Sequence, residues 1–297
     1  MLLVTGAASL VGRHTVQTLL EHDVPTRVLV SARAALAPGE FGRAALVTGD
    51  EADGRVLDAA LASVRTLVLL TRAHPDRPAL DRQLLAAAER HGVSRVIKLS
   101  VAGAAADAPV HAARWHWETE RLLEASSFAW VVVRAHRPMQ HVYAQIDSLC
   151  SQHAFYGCQG DGASVDVDVR DVAAVLTALA RAPGHEGGVL ELTGPTPCTA
   201  PQLGRLLGEA MGHPVQYVDC APEVFVQGLL AAGLPRWRAE DRAAWQLQLR
   251  SGRFATPTDT VRAITGQAPA SMREFAAEFA AALRYAAPPM ARQRAPT

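Results

Sequence analysis

Two glycines, Gly6 and Gly12, bracket Ala7, Ala8, Ser9, Leu10 and Val11, and this short run carries the plainest chemistry in the chain. The apolar stretch Met1 to Thr5 leads into it, and an amphipathic stretch through Leu20 leads out. A strand that ends in a glycine turn and re-enters as a helix leaves unpaired N–H groups at the helix start, where they can cradle a pyrophosphate. Ser9 stands where the middle glycine of G-x-x-G-x-x-G would be, and its small hydroxyl keeps the loop open. A dinucleotide is therefore expected along residues 6 to 12. Thr26 to Val30 reads as a second buried strand, and the residue that meets the adenosine ribose falls roughly 20 positions beyond the last glycine. An acid there would bind a 2′-hydroxyl. This chain instead offers Ser31 and Arg33, with no acid before Glu40, and a guanidinium matches a 2′-phosphate. NADP(H) is thus favoured, with NAD(H) as the alternative.

A second set of reactive side chains lies mid-chain. Val96 to Ser100 reads as a strand ending in a serine, and the helix from about His111 to Ala125 carries His116, whose imidazole could bond a ribose or deliver a proton. The competing reading has His116 packed between Trp115 and Trp117. After the strand Trp130 to Arg134, residues His136, Met139, Gln140 and Tyr143 are expected near a substrate, although Met139 and Tyr143, four apart, equally fit a core stripe.

Alternation of strands and helices positions these groups. Further strands are expected at Ala44 to Thr48, Thr66 to Leu70 and Gly188 to Leu192, with helices at Arg55 to Leu61, from Pro78 to Gly92, after the strand Trp130 to Arg134 as far as about Cys150, and at Asp171 to Arg181. This pattern predicts a doubly wound parallel sheet with its ligand across the carboxyl ends of the strands. Asp50, Leu70, Thr71, Ser100, Val101 and Ala135 are expected on that edge. Residues 1 to 150, completed by about 165 to 192, would form the Rossmann domain. Residues 193 to 285 read as a smaller, mostly helical lobe that shapes the substrate pocket, and 286 to 297 as a frayed tail.

Composition narrows the partners. The 297 residues carry 29 basic and 29 acidic side chains, so no net field draws the chain to nucleic acid or to an anionic membrane. A small-molecule partner is expected instead; oligomeric state is not legible. The basic set comprises one lysine, Lys98, and 28 arginines. Cys150, Cys158, Cys198 and Cys220 show no metal-type spacing, no metal site is expected, and reduced thiols suit a cytoplasm. No cationic leader or membrane-length apolar run is read.

Taken in order, Val4-Thr5-Gly6-Ala7 with Val11-Gly12, Gly49-Asp50, Ala87 to Val93, His116 to Leu123, Met139-Gln140 and Glu191 to Pro195 resemble the NmrA-like branch of the atypical short-chain dehydrogenase/reductases, in particular its NADPH:quinone oxidoreductase-like members. The resemblance implies a Rossmann domain with a small C-terminal lobe and NADPH as hydride donor. Some members bind the cofactor without turning it over. Ordinary short-chain dehydrogenases carry Tyr-x-x-x-Lys on the helix after strand five, beside a serine. Here Ser100 fits the serine, His116 takes the lysine position and Ala112 the tyrosine position, so the usual proton donor is missing. Similar members also show His-x-x-Thr-Glu at this point. The stretch Arg134 to His141 departs from the family's Arg-Pro-x-x-Phe-Met-x-Asn, implying a changed substrate. The expected function is reduction of a quinone, enone or ketone, with Ser100 and His116 as the catalytic pair; a cyclase or isomerase on the same scaffold and an NADP(H)-binding regulator are the alternatives.

Overall fold

A computed structural model describes residues 1–32, 34, 36–37, 39–70, 72 and 74–286. Arg33, Thr71 and 287–297 lie outside the described residues, so the expectations placed on them are not addressed by it.

The elements run β1 (Leu2–Val4), α1 (Leu10–Glu21), β2 (Thr26–Val30), β3 (Ala45–Thr48), α2 (Gly54–Leu61), β4 (Thr66–Leu70), α3 (Arg77–Arg90), β5 (Arg95–Val101), α4 (His111–Glu124) and β6 (Ala129–Ala135). A 3-10 turn over Met139–Gln145 then leads to α5 (Ile146–Gln152), β7 (Ala154–Gly157), β8 (Ala163–Ser164), α6 (Val169–Arg181) and β9 (Gly188–Leu192). Last come β10 (Cys198–Thr199), α7 (Ala200–Met211), β11 (Gln216–Asp219), α8 (Pro222–Ala231), α9 (Arg236–Arg250), α10 (Thr260–Thr265) and α11 (Met272–Ala286).

Seven strands form one parallel sheet in the order β3-β2-β1-β4-β5-β6-β9. Strands buried on both faces must be apolar at nearly every position, which is why they read as continuous runs in the sequence. Leu3, Leu29, Leu67, Leu69, Val96 and Val132 face one helical layer, which includes Leu57 of α2 and Leu84 of α3. Val4, Val28, Val68, Ile97 and Val133 face the other, with Val16 of α1 and Leu176 of α6. The strand order reverses between β1 and β4, and such a switch point opens a crevice at the carboxyl edge.

The smaller lobe is built differently from the contiguous 193–285 unit expected. Its core joins Met139, Val142, Leu149 and Phe155 to Leu203, Leu207, Phe275 and Phe279, so residues after β6 already belong to it. Short pairs β7 with β11 and β8 with β10 tie it together. Conversely, Val261 of α10 packs into the Rossmann core. No described helix is long and apolar enough to cross a membrane.

Candidate cofactor cleft and active site

The glycine turn is fixed by backbone approach. Thr5 N donates to the Val68 carbonyl at 3.1 Å, and Leu70 N donates to Thr5 Oγ1 at 3.2 Å, stitching β1 to β4 at the edge of the crevice. Gly6 has φ 59°, and a Cβ there would lie 2.0 Å from the Leu70 carbonyl oxygen. At Gly12 a Cβ would lie 2.4 Å from the Gly6 oxygen, so α1 can approach the turn only if residue 12 is glycine. Ser9 caps α1, its Oγ accepting from Gly12 N at 3.0 Å. The N–H groups of Ala8, Leu10 and Val11 find no acceptor among the described residues, which leaves donors for a pyrophosphate. The turn therefore fits a dinucleotide: the 6–12 amides would hold the phosphates.

At the adenosine end, Ser31 is exposed just past β2. Glu40, the first acid after that strand, pairs with Arg13 and accepts from Ala37 N at 2.8 Å. Asp50, exposed beyond β3, accepts from Ala52 N at 2.9 Å in the turn that leads to α2.

Beneath the carboxyl edge, β5 and α4 share a buried polar network. Residues alternate along a strand, so Lys98 and Ser100 face the same helix. Lys98, fully buried, donates from Nζ to the Leu99 carbonyl at 3.0 Å and to His116 Nδ1 at 3.1 Å. Burial pushes the Lys98 ammonium down to about 8, partly opposed by Asp81. His116 is held well below its ordinary value by burial, then by the charges of Lys98 and Arg77. It is therefore a neutral imidazole, and a donor at Nδ1 places its own proton on Nε2. Asp81 accepts from Thr119 Oγ1 at 2.7 Å and pairs with Arg77.

Ser100, the other residue expected in catalysis, is engaged by a buried neighbour. Its hydroxyl donates to Glu120 Oε1 at 2.5 Å, and Glu120, with no exposure, is also gripped by Arg134 at 2.5 and 3.1 Å. The Ser100 proton thus satisfies a buried carboxylate in this structure.

Between the carboxyl edge and the helical pair α8 and α9 lies a cavity of about 900 Å³. Val101 and Ala135, at the paired ends of β5 and β6, form its floor with Ala112 and Ala113 of α4. Phe225, Trp237 and Trp245 form the opposite wall. His116 sits one turn below Ala112. The wall is latched by Asp241 of α9, whose Oδ1 accepts from His111 N at 2.7 Å and contacts His111 Nδ1 at 2.7 Å, while Oδ2 accepts from Ala112 N at 2.9 Å. A carboxylate from the lobe thus caps the first turn of a Rossmann helix.

Of the four residues expected near a substrate, only His136 lines this cavity. It is buried, edge-on to Phe254 at 5.6 Å, and burial lowers its pKa. Met139 is 1% exposed in the lobe core. Gln140 accepts from Val169 N at 3.2 Å at the start of α6, and Tyr143 lies 5.0 Å from the Phe279 ring of the lobe core. After Pro138 a 3-10 turn stands where the first part of the expected helix would be, α5 forms its later part, and Met139, Val142 and Tyr143 pack with Phe275 and Phe279 of α11. Leu70 is likewise buried and could meet a ligand only through its backbone. The cavity residues of α8 and α9 were not among the expected site residues, because a lobe helix gives no sign in sequence of which face meets the sheet. No cluster of three or more metal-type side chains occurs among the described residues.

Residues 6–183 match the family model described as NAD(P)H-binding. The NAD(P)H azoreductase of Xenophilus azovorans is 31% identical over 284 residues, covering 95% of this chain and 99% of that protein. The chain belongs to this NAD(P)H-binding family and, with that azoreductase, to its NAD(P)H-dependent reductases. The fold of this reductase agrees with the NADPH complex of an NADPH-dependent quinone oxidoreductase from Escherichia coli, with TM-score 0.84 at 24% identity over 94% of this chain and 99% of that one. It also agrees with NmrA, a negative transcriptional regulator in complex with NAD, with TM-score 0.77 at 16% identity over 96% and 97% of the two chains.

Proposed function

We propose that this protein is an NADPH-dependent reductase of conjugated acceptors, namely quinones, enones and azo compounds. The observation that carries the reading is the large, aromatic-walled cavity whose floor, Val101 and Ala135, is the same strand edge onto which the glycine turn opens. An apolar cavity beside a dinucleotide cleft suits a flat, hydrophobic substrate. The names of the azoreductase relative and of the quinone oxidoreductase with the same fold support the acceptor class. Preference for NADPH is supported by the missing acid after β2 and by the engagement of Glu40 with Arg13.

NADPH, when bound, supplies a hydride. The chain's own residues position the acceptor and manage one proton. Ala112 offers no hydroxyl where the ordinary tyrosine would act, so orientation by the cavity walls carries more of the rate. His116 Nε2 is proposed as the donor to the reduced acceptor, with Nδ1 recovering a proton from Lys98 at 3.1 Å. Quinones need little acid assistance, whereas an unactivated ketone is a poor substrate for such a site.

The test is to follow nicotinamide absorbance with NADPH or NADH against naphthoquinone, cyclohexenone, an azo dye and acetone. Oxidation of NADPH by the first three, and not by acetone, is expected. Tight NADPH binding without oxidation by any of them would overturn the reading in favour of a regulator.

A further inference from the structure

Two arginines of α9, Arg238 and Arg242, line the cavity one helical turn apart, and neither guanidinium forms an ion pair or hydrogen bond among the described residues. Like charges at this spacing repel each other along a helix face. Arg242 is half-buried, and burial followed by Arg238 lowers its pKa. Guanidinium groups left unpaired against an apolar wall are unusual, since a partly desolvated charge normally recruits a carboxylate.

The acids nearby are otherwise engaged. Asp241 is held by His111 and the Ala112 amide, and Asp166 by Arg137 at 3.0 Å. Asp219 pairs with Arg250 at 2.7 Å. Asp147, the remaining acid on the wall, is exposed and pairs with neither arginine. Across the cavity His141 is pushed down to about 4 by burial, with Arg137 and then Arg242 adding to the effect, so it is uncharged at neutral pH and offers the arginines no anionic partner. The two α9 guanidiniums therefore line a largely apolar chamber with no carboxylate paired to either among the described residues.

We propose that Arg238 and Arg242 form an anion subsite, so that the preferred acceptor is an aromatic molecule bearing a sulfonate, carboxylate or phosphate group. This deepens the reductase reading and rests on it for the word acceptor, but the subsite itself is a matter of binding. The planar forks of two guanidiniums one turn apart suit an oxyanion, while Phe225, Trp237 and Trp245 take the rings. The charge would also orient the ligand, fixing which end lies over Val101 and Ala135.

The test uses the full-length protein and two fluorescent probes of nearly equal size, anilinonaphthalene sulfonate and uncharged phenylnaphthylamine. The sulfonate should bind about tenfold more tightly than the neutral probe, the size expected of one charge-assisted contact. Arg238→Gln with Arg242→Gln should remove that preference, and the paired lysine variant should restore part of it. Exposed Arg238→Gln alone provides the reading if the double variant does not fold. Unchanged probe preference in a folded Gln variant would overturn the proposal. An equal loss of NADPH affinity would also overturn it, by assigning the arginines to the cofactor. Because neither probe is reduced, failure of turnover leaves this result intact. Where turnover is present, the ratio of kcat/KM for naphthoquinone sulfonate over naphthoquinone should fall about tenfold in the same variant.

Discussion

Lys98 Nζ lies 3.1 Å from His116 Nδ1, with both side chains buried where β5 meets α4. An ammonium has no acceptor, so this contact settles which nitrogen of the imidazole keeps its proton. The arrangement links the one lysine of the chain to the residue that replaces the lysine of ordinary short-chain dehydrogenases.

If that pair supplies the proton, activity follows Lys98 rather than His116. Burial sets the lysine at about 8, so kcat/KM for an enone should fall as pH rises through about 8, with no inflection from His116 between 6 and 8. His116→Ala should lower turnover of an enone by roughly 10- to 100-fold and of a quinone by less. Full activity of His116→Ala from about pH 5 to 9 would make the histidine a packing residue.

Stability carries the same signature with a definite sign. The folded pKa of Lys98 lies below its ordinary value of 10.5, so between about 8 and 10.5 the unfolded chain holds a proton that the folded chain has shed. Stability should therefore rise with pH across that window, by up to about 3 kcal/mol from this group. Urea unfolding of Lys98→Met, compared with the unmutated protein, should lack that increment. Equal pH slopes for the two proteins would contradict the assignment.

Gly12→Val should abolish nucleotide binding, because even a Cβ would fall 2.4 Å from the Gly6 oxygen. Ser9→Gly should leave binding largely intact and cost only a few tenths of a kcal/mol, since glycine is itself an acceptable helix cap. Thermal-shift titration with NADPH reads both. An undiminished shift for Gly12→Val would remove the glycine turn from the cofactor site.

The sheet was legible in the sequence because most of its strands are short, mainly apolar runs, several of them ending at a glycine, as Val4 before Gly6 and Thr48 before Gly49 illustrate. The lobe was not. Its strands β8 and β10 are two residues long, too short for any period, and its core draws on Met139 and Phe279, 140 positions apart. Ser100 shows the limit of motif reading: its place at the strand end is right, yet Glu120 takes its hydroxyl through a contact that no local spacing reveals.

Arg33→Asp should narrow or reverse a preference for NADPH over NADH, by removing the guanidinium expected at the 2′-phosphate. Dissociation constants for both cofactors, measured on both proteins, decide it. Equal constants in the unmutated protein would count against an NADP-type site.

The central claim is that hydride moves from NADPH to an acceptor in the cavity beside Val101 and Ala135. Mixing the NADPH complex with excess naphthoquinone in a single turnover, using cofactor deuterated at the transferred position, tests this most directly. Loss of one equivalent of nicotinamide absorbance, slowed by deuterium, is predicted. A complex whose absorbance stays constant with naphthoquinone, enone and azo acceptors alike would contradict the account.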